Sequence, residues 1–343
     1  MIRIFLPIIA IIAVLLFKEH QELYYHGPRS DHFDGKHFHN LEPSPPKSFY
    51  EAIKWKLSSK SLTWPTWIAI PENNKLPASH QKTSITSINH ASFLIQTKGV
   101  NILTDPIWSK RASPLSFLGP RRIKAPGLQL EELPNIDIIT ISHNHYDHLD
   151  MKTIKQLESR FKPIFIAGLG VCKAYLSAVV DHSRCIELDW WGNYEFKGTK
   201  ITFVPAKHWS RRKLFDTNKT LWGGFVFSNP HGNIYFVGDT GFGQATEFHQ
   251  IKDKFKHFST AIIPIGAYKP EWFMNSMHIT PEQAVLIHKI INPNRSIAME
   301  HDVFPMAGED YEEAPQDLNK AKAKYKIPKN KFITLENGQA ILY

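Results

Sequence analysis

The apolar run Ile136-Asp137-Ile138-Ile139-Thr140-Ile141 ends in Ser142-His143-Asn144-His145-Tyr146-Asp147-His148-Leu149-Asp150, a junction that few folds accommodate. Its apolar half reads as a buried strand, so the polar half falls where the strand stops and the backbone turns. Imidazole and carboxylate are the usual donors for a divalent transition metal. His143 and His145, two residues apart on extended backbone, project to one side and can share an ion. Asp147 and His148 lie past the turn, where they can face a second ion beside the first. Solvated loop histidines have no reason to gather with a carboxylate at a strand end. The junction therefore points to a metal-dependent hydrolase.

Three more donors stand at the ends of apolar runs. Thr202-Phe203-Val204-Pro205-Ala206-Lys207 delivers His208, and Ile234-Tyr235-Phe236-Val237-Gly238 delivers Asp239. Ser296-Ile297-Ala298-Met299-Glu300 delivers His301. Each alone has an ordinary reading as a satisfied polar residue at a sheet edge; together with the first cluster they form a set.

From Thr83 onward, short apolar runs alternate with turn residues. Residues 85–96 and 100–103 read as a hairpin around Lys98-Gly99. Further strands are predicted over 136–142, 163–167, 186–190, 200–205, 223–228, 234–238, 261–265 and 296–300. Helices are predicted over 151–160, 170–180, 281–291 and 315–325. Thr280 as N-cap with Pro281 behind it marks a helix start. Hairpins early and late with helices interspersed predict mixed sheets covered by helices in one α/β domain over 83–343. No short fixed repeat suggests a solenoid or propeller.

A 343-residue chain with 42% hydrophobic residues can bury a sizeable core. Its net charge of +9 suits anionic partners such as membrane surfaces or phosphate-bearing substrates. The basic residues are scattered, and no nucleic-acid-binding module accompanies them, so no nucleic acid is expected as partner. Cys172 and Cys185 make neither a zinc-binding pair nor a dense disulfide framework. Residues 1–20 hold an uncharged apolar segment from Ile4 to Phe17, without a small-x-small cleavage pattern after it. We read it as a membrane anchor, with a signal peptide as the alternative and the catalytic domain outside the cytoplasm. Residues 21–82, rich in Pro, His and aromatics, read as an N-terminal arm, in which Asp31 to His39 make a solvated or packed stretch rather than a metal site. The sequence specifies no oligomeric state, and a homodimer is compatible with it.

The cluster followed by His208, Asp239 and His301 resembles the metallo-β-lactamase superfamily. Within it, the chain is most similar to the N-acylphosphatidylethanolamine-hydrolysing phospholipase D family. Shared landmarks run from about Ser87 to the C-terminus: Thr104-Asp105-Pro106-Ile107, Gly119-Pro120-Arg121-Arg122, Glu187-Leu188-Asp189-Trp190-Trp191, His208-Trp209 and Gly238-Asp239-Thr240-Gly241. The longest is Ile263-Pro264-Ile265-Gly266-Ala267-Tyr268 with Pro270 and Trp272-Phe273-Met274 behind it.

The resemblance implies a four-layer αβ/βα sandwich with two zinc ions at one edge. It implies that His143, His145 and His208 hold the first ion, that Asp147, His148 and His301 hold the second, and that Asp239 bridges them. Asp147 would also pass a proton to the leaving alkoxide. Tyr146, Arg212 and His278 would contact substrate, Arg212 by pairing with phosphate. The implied reaction is phosphodiester hydrolysis of a membrane phospholipid, giving phosphatidic acid and an N-acylethanolamine. The alternative keeps the fold and metals with a soluble lactone, ester or cyclic phosphodiester as substrate. The chain departs from the family at Ile88-Asn89-His90-Ala91-Ser92 and at His301-Asp302-Val303-Phe304-Pro305, where the family runs His-Trp-Gly-Thr-Phe.

Overall fold

The computed structural model describes residues 21–43, 47–58, 62–70, 76, 83–97 and 99–343. Fourteen strands form two seven-stranded mixed sheets. The first, in order β14-β1-β2-β3-β4-β5-β6, contains β1 (Ser84–Asn89), β2 (Ser92–Thr97), β3 (Val100–Thr104), β4 (Ile138–Ile141), β5 (Ile164–Gly168), β6 (Cys185–Leu188) and β14 (Ala340–Leu342). The second, in order β13-β12-β11-β10-β9-β8-β7, contains β7 (Asn193–Phe196), β8 (Thr199–Val204), β9 (Gly224–Asn229), β10 (Gly232–Phe236), β11 (Thr260–Pro264), β12 (Arg295–Met299) and β13 (Phe332–Ile333). Three antiparallel pairings are followed by three parallel ones in each sheet, counted from β14 in the first and from β7 in the second.

The layers follow from strand alternation, because successive side chains leave opposite faces of a sheet. Ile138 and Ile166 face the core between the sheets, with Phe203, Phe225 and Phe227 of the second sheet. Ile139, Ile141, Phe165 and Ala167 face the other way, into a second core. There they meet Ile154 and Leu157 of helix α2 (Met151–Phe161), whose N-terminus is capped by Asp150. Helix α1 (Phe49–Ser58) precedes the sheets. On the second sheet, α3 (Thr246–Phe255), α4 (Pro281–Ile291) and α5 (Glu313–Lys324) bury Phe248, Ile251, Val285, Ile287 and Leu318. Thr280 and Gln283 close a capping box at the start of α4, as its sequence predicts. The result is a helix–sheet–sheet–helix sandwich.

Several predicted elements differ in detail. The single run 85–96 is split into β1 and β2 at His90, whose φ of 41° reverses the chain. The helix predicted over 170–180 contracts to a short helical segment at Cys172–Leu176. That segment is tied to β6 by a disulfide between Cys172 and Cys185. Helices α1 and α3 and strands β7, β13 and β14 carry no clear pattern in the sequence.

The arm packs onto the sandwich. Phe33 and Phe38 join the inter-sheet core, and His32 stacks on Trp190 at 4.4 Å. Asn40 accepts from the His208 backbone N–H at 3.0 Å and donates to its carbonyl at 2.9 Å. Residues 1–20, with their apolar segment, lie outside the described residues. Among the described residues, no helix is long and apolar enough to cross a membrane.

Candidate metal centre

Each donor stands where a strand ends at one edge of the sandwich. His143 and the loop to His148 follow β4, His208 follows β8, Asp239 follows β10 and Glu300 follows β12. Strand ends leave their last carbonyls and side chains at such an edge, and loops from several strands converge there.

Among the described residues the ligand atoms form three groups. His143, His145, His208 and Asp239 make the first, their ligand atoms within 4.8 Å of one another. His90, Asp147 and His148 make the second, and His148, Asp239 and Glu300 the third; these two share His148 and make one neighbourhood. His143 Nε2 is 2.8 Å from His145 Nδ1, and His208 Nε2 is 3.3 Å from the same atom. Asp239 Oδ2 lies 3.7 Å from His143 Nε2 and 3.5 Å from His208 Nε2. That neighbourhood is built around His148, whose Nε2 is 3.3 Å from Asp147 Oδ2, 3.3 Å from Asp239 Oδ1 and 3.8 Å from Glu300 Oε1. Asp239 thus turns one carboxylate oxygen to the first group and one to this neighbourhood, the arrangement a bridging ligand requires.

The electrostatics suit cations. Burial presses His143 and His208 well below the ordinary imidazole range, and His145 down to about 4. These rings are neutral and their lone pairs are free to coordinate. Burial would lower His148 too, but Asp239, Asp147 and Asp105 outweigh it and hold that ring well above its usual range. His148, His143 and His208 overcome the burial of Asp239 and keep it ionised. Burial and the neighbouring Asp239 carboxylate push Glu300 well above the usual carboxylate range.

Three of the convergent atoms, His148 Nε2, Asp239 Oδ1 and Glu300 Oε1, are buried without a hydrogen-bond partner. Orphaned polar atoms of this kind are costly, and facing one another they fit a bound cation. Behind the donors, Asp105 Oδ2 accepts from His148 Nδ1 at 2.8 Å, and the Met277 carbonyl accepts from His208 Nδ1 at 2.8 Å. Such partners fix the tautomer that leaves Nε2 for the metal.

Six of the seven expected ligands are brought together: His143, His145, Asp147, His148, His208 and Asp239. His301 is not among them. Its Nδ1 pairs with Asp302 Oδ2 at 2.8 Å, and the residue before it, Glu300, takes the place in the cluster. His90 also joins, with Nε2 3.2 Å from Asp147 Oδ2. His278 stands close, its Nδ1 3.9 Å from Asp239 Oδ2.

Tyr146 lines the adjoining cavity and donates its hydroxyl to the Arg212 carbonyl at 2.9 Å. The Arg212 guanidinium is turned inward. It stacks 3.9 Å over the Tyr146 ring while Nη1 donates to the carbonyls of Asn144 and Leu149. Its first role is therefore to brace the histidine loop.

The cavity, about 740 Å³, opens from the donors. Its lining includes His145, His208 and Asp239 and also an apolar patch in which Trp55 and Met306 pack against Phe273 and Met274.

The sequence profile of the Beta-lactamase superfamily domain matches residues 100–301, the span that carries every donor named above except His90. The chain belongs to this family. It is 38% identical over 264 residues to N-acyl-phosphatidylethanolamine-hydrolyzing phospholipase D 1 of Caenorhabditis elegans, covering 74% of each chain. It is 35% identical over 227 residues to the mitochondrial enzyme of the same description from Saccharomyces cerevisiae, covering 64% of this chain and 47% of the yeast protein. Among solved structures, a metallo hydrolase of the archaeon Ignicoccus hospitalis superposes with a TM-score of 0.56 at 21% identity, covering 77% of this chain and 99% of that one. A Veillonella parvula protein described as a possible metal-dependent hydrolase superposes with a TM-score of 0.60 at 16% identity, covering 76% and 99%. These superpositions establish the fold. This superfamily member is a metal-dependent hydrolase by its family and by its donor set.

Proposed function

We propose that this superfamily member is a two-metal phosphodiesterase that hydrolyses N-acylphosphatidylethanolamine-type phospholipids to N-acylethanolamine and phosphatidic acid. The observation that carries the reading is the cavity, which joins a cluster of cation donors to an apolar patch in one space. An anionic headgroup and an acyl chain ask for that pairing. The Caenorhabditis elegans and yeast relatives, described as hydrolysing this lipid class, support it.

Bound at the donors, two divalent cations would acidify water and stabilise charge on phosphoryl oxygens. Zinc suits the imidazole-rich first position. The chain's own residues do the rest. Burial would raise Asp147, but His148 and His90 outweigh it and keep the carboxylate ionised, so its Oδ2 can take up the proton given up by the attacking water and then pass it to the leaving alkoxide. His90 shares that oxygen and lines the cavity, so it can relay the proton onward. Trp55, packed on Phe273 at 4.9 Å, and the methionines of the patch exclude water beside the reacting centre.

The surroundings suit a bilayer surface. Helix α1 turns Trp55 to Phe273 but leaves Tyr50, Ile53 and Leu57 exposed, a stripe at helical spacing. The loops that continue from cavity residues Ala112 and Arg212 expose Phe117, Leu118, Leu214 and Phe215. Exposed apolar groups gathered near a cavity favour contact with lipid. Residues 1–20 would add an anchor. The Cys172–Cys185 disulfide favours an oxidising compartment, in keeping with a domain outside the cytoplasm.

The test is a substrate panel: N-acylphosphatidylethanolamine and phosphatidylcholine in mixed micelles, an acyl-homoserine lactone, a cephalosporin and a cyclic nucleotide. Turnover of the N-acylated phospholipid, abolished by a chelator and restored by metal, is expected. In ¹⁸O water the label should enter phosphatidic acid. Turnover of the lactone or cyclic nucleotide with neither phospholipid would overturn the proposal.

A further inference from the structure

We infer that Glu300, not His301, completes the second metal position, and that the three carboxylates gathered there around His148 suit a harder cation than the first. The inference rests on the two-metal reading above and goes beyond it by distinguishing the two positions.

The backbone decides between the neighbours. Strand β12 ends at Met299, and Glu300 then takes a φ of 60° while its N–H donates to the His90 carbonyl at 3.1 Å. A left-handed residue at a strand end redirects the side chains that follow, so period-two alternation no longer says which one faces the site. Gly266 closes the other side: a Cβ there would meet the Glu300 carbonyl at 1.8 Å, so only glycine allows this approach. Held from both sides, Glu300 turns its carboxylate inward, with its side chain 2% exposed. His301 turns to Asp302, whose other oxygen accepts from the Glu312 N–H at 2.8 Å.

The donors in the two positions differ in kind. The first gathers His143, His145 and His208 around one oxygen of Asp239, a nitrogen-rich set of the sort zinc takes. The second offers His148 with Asp147, Asp239 and Glu300, and His90 stands beside them, 3.2 Å from Asp147. Carboxylate-rich sets favour oxygen-loving octahedral ions such as manganese or iron(II) relative to zinc. An imidazole in place of the Glu300 carboxylate would weaken that bias. The three orphaned atoms His148 Nε2, Asp239 Oδ1 and Glu300 Oε1 mark where the ion would sit.

The experiment uses the full chain in detergent, stripped and reloaded with manganese, zinc or both, with ions counted by elemental analysis after desalting. Wild type should keep about two ions per chain, Glu300→Gln about one and His301→Ala about two. Glu300→His should keep two and raise the zinc-to-manganese affinity ratio of the second position at least tenfold. This variant also serves if Glu300→Gln fails to fold. Loss of an ion in His301→Ala with two retained in Glu300→Gln overturns the inference, as does an unchanged ratio in Glu300→His. A wild-type chain that never holds a second ion overturns the two-metal reading itself. Failure of the lipid assay leaves the ion counts standing.

Discussion

Behind His148, the Asp105 carboxylate accepts from the ring's Nδ1 at 2.8 Å, from Ser142 Oγ at 2.5 Å and from the Ser142 N–H at 2.7 Å. It touches no cation itself, yet it sets which nitrogen of His148 faces the metal. Removing its charge should weaken the ring as a ligand, and changes of this kind cost roughly 10–100-fold in metal affinity. Asp105→Asn is therefore expected to bind metal at the His148 position on that scale more weakly while remaining folded, since the amide oxygen can still accept. Competition against a chromophoric chelator measures it; unchanged affinity would show that Asp105 is only packing. The sequence displays Asp105 as one of its shared landmarks but not what it does, because the partner lies 43 positions along the chain. The clustered histidines were legible because apolar runs announce the strands that carry them. Glu300 was not, since an imidazole beside a carboxylate draws attention to itself and only the backbone turn separates them.

At the level of elements, most central strands and helices α2, α4 and α5 could be read from apolar runs and caps. Helix α3 could not: it begins after Ala245 in a left-handed conformation with no capping side chain. The seam between α4 and β12 gives a measurable consequence. His288 of α4 is buried, with Nδ1 2.8 Å from Ser296 Oγ and its ring stacked 5.7 Å from Phe332. Burial, with Lys331 and Lys322 nearby, lowers its pKa to about 4. Its unfolded value is near 6.5, so between these limits the unfolded chain binds more protons than the native one. Stability from this residue is thus complete above about pH 6.5 and falls as the pH drops towards 4, by at most about 3 kcal/mol. Urea unfolding at pH 7 and pH 4.5 should show His288→Gln losing less than wild type by about 2 kcal/mol. An equal loss in both proteins would mean that the ring is already charged in the native state.

Taken as a whole, the molecule puts its metal donors at one edge of the sandwich and a partly apolar cavity beside them, and α1 bounds that cavity through Trp55. The sandwich followed from the sequence, but the exposed face of α1 did not, because what a short amphipathic helix covers depends on how it docks. On that helix Leu57 is 82% exposed, Tyr50 74% and Ile53 41%, so none of them is needed to fill a core. Transfer of a leucine- or isoleucine-sized side chain from water into an apolar phase is worth roughly 1.5–3 kcal/mol. The pair Ile53→Glu and Leu57→Glu should therefore reduce partitioning onto phosphatidylcholine vesicles at least ~10-fold, even from partial insertion. Thermal unfolding should barely move, since exposed positions tolerate such changes. To separate this face from residues 1–20, the comparison belongs in chains lacking that segment as well as in the full protein. Catalysis should then divide: KM for phospholipid in vesicles rises about tenfold, whereas turnover of a short-chain, monomerically dispersed analogue stays within twofold of wild type. Equal losses on both substrates would place the defect in the cavity, and no loss on either would mean that α1 does not meet the bilayer.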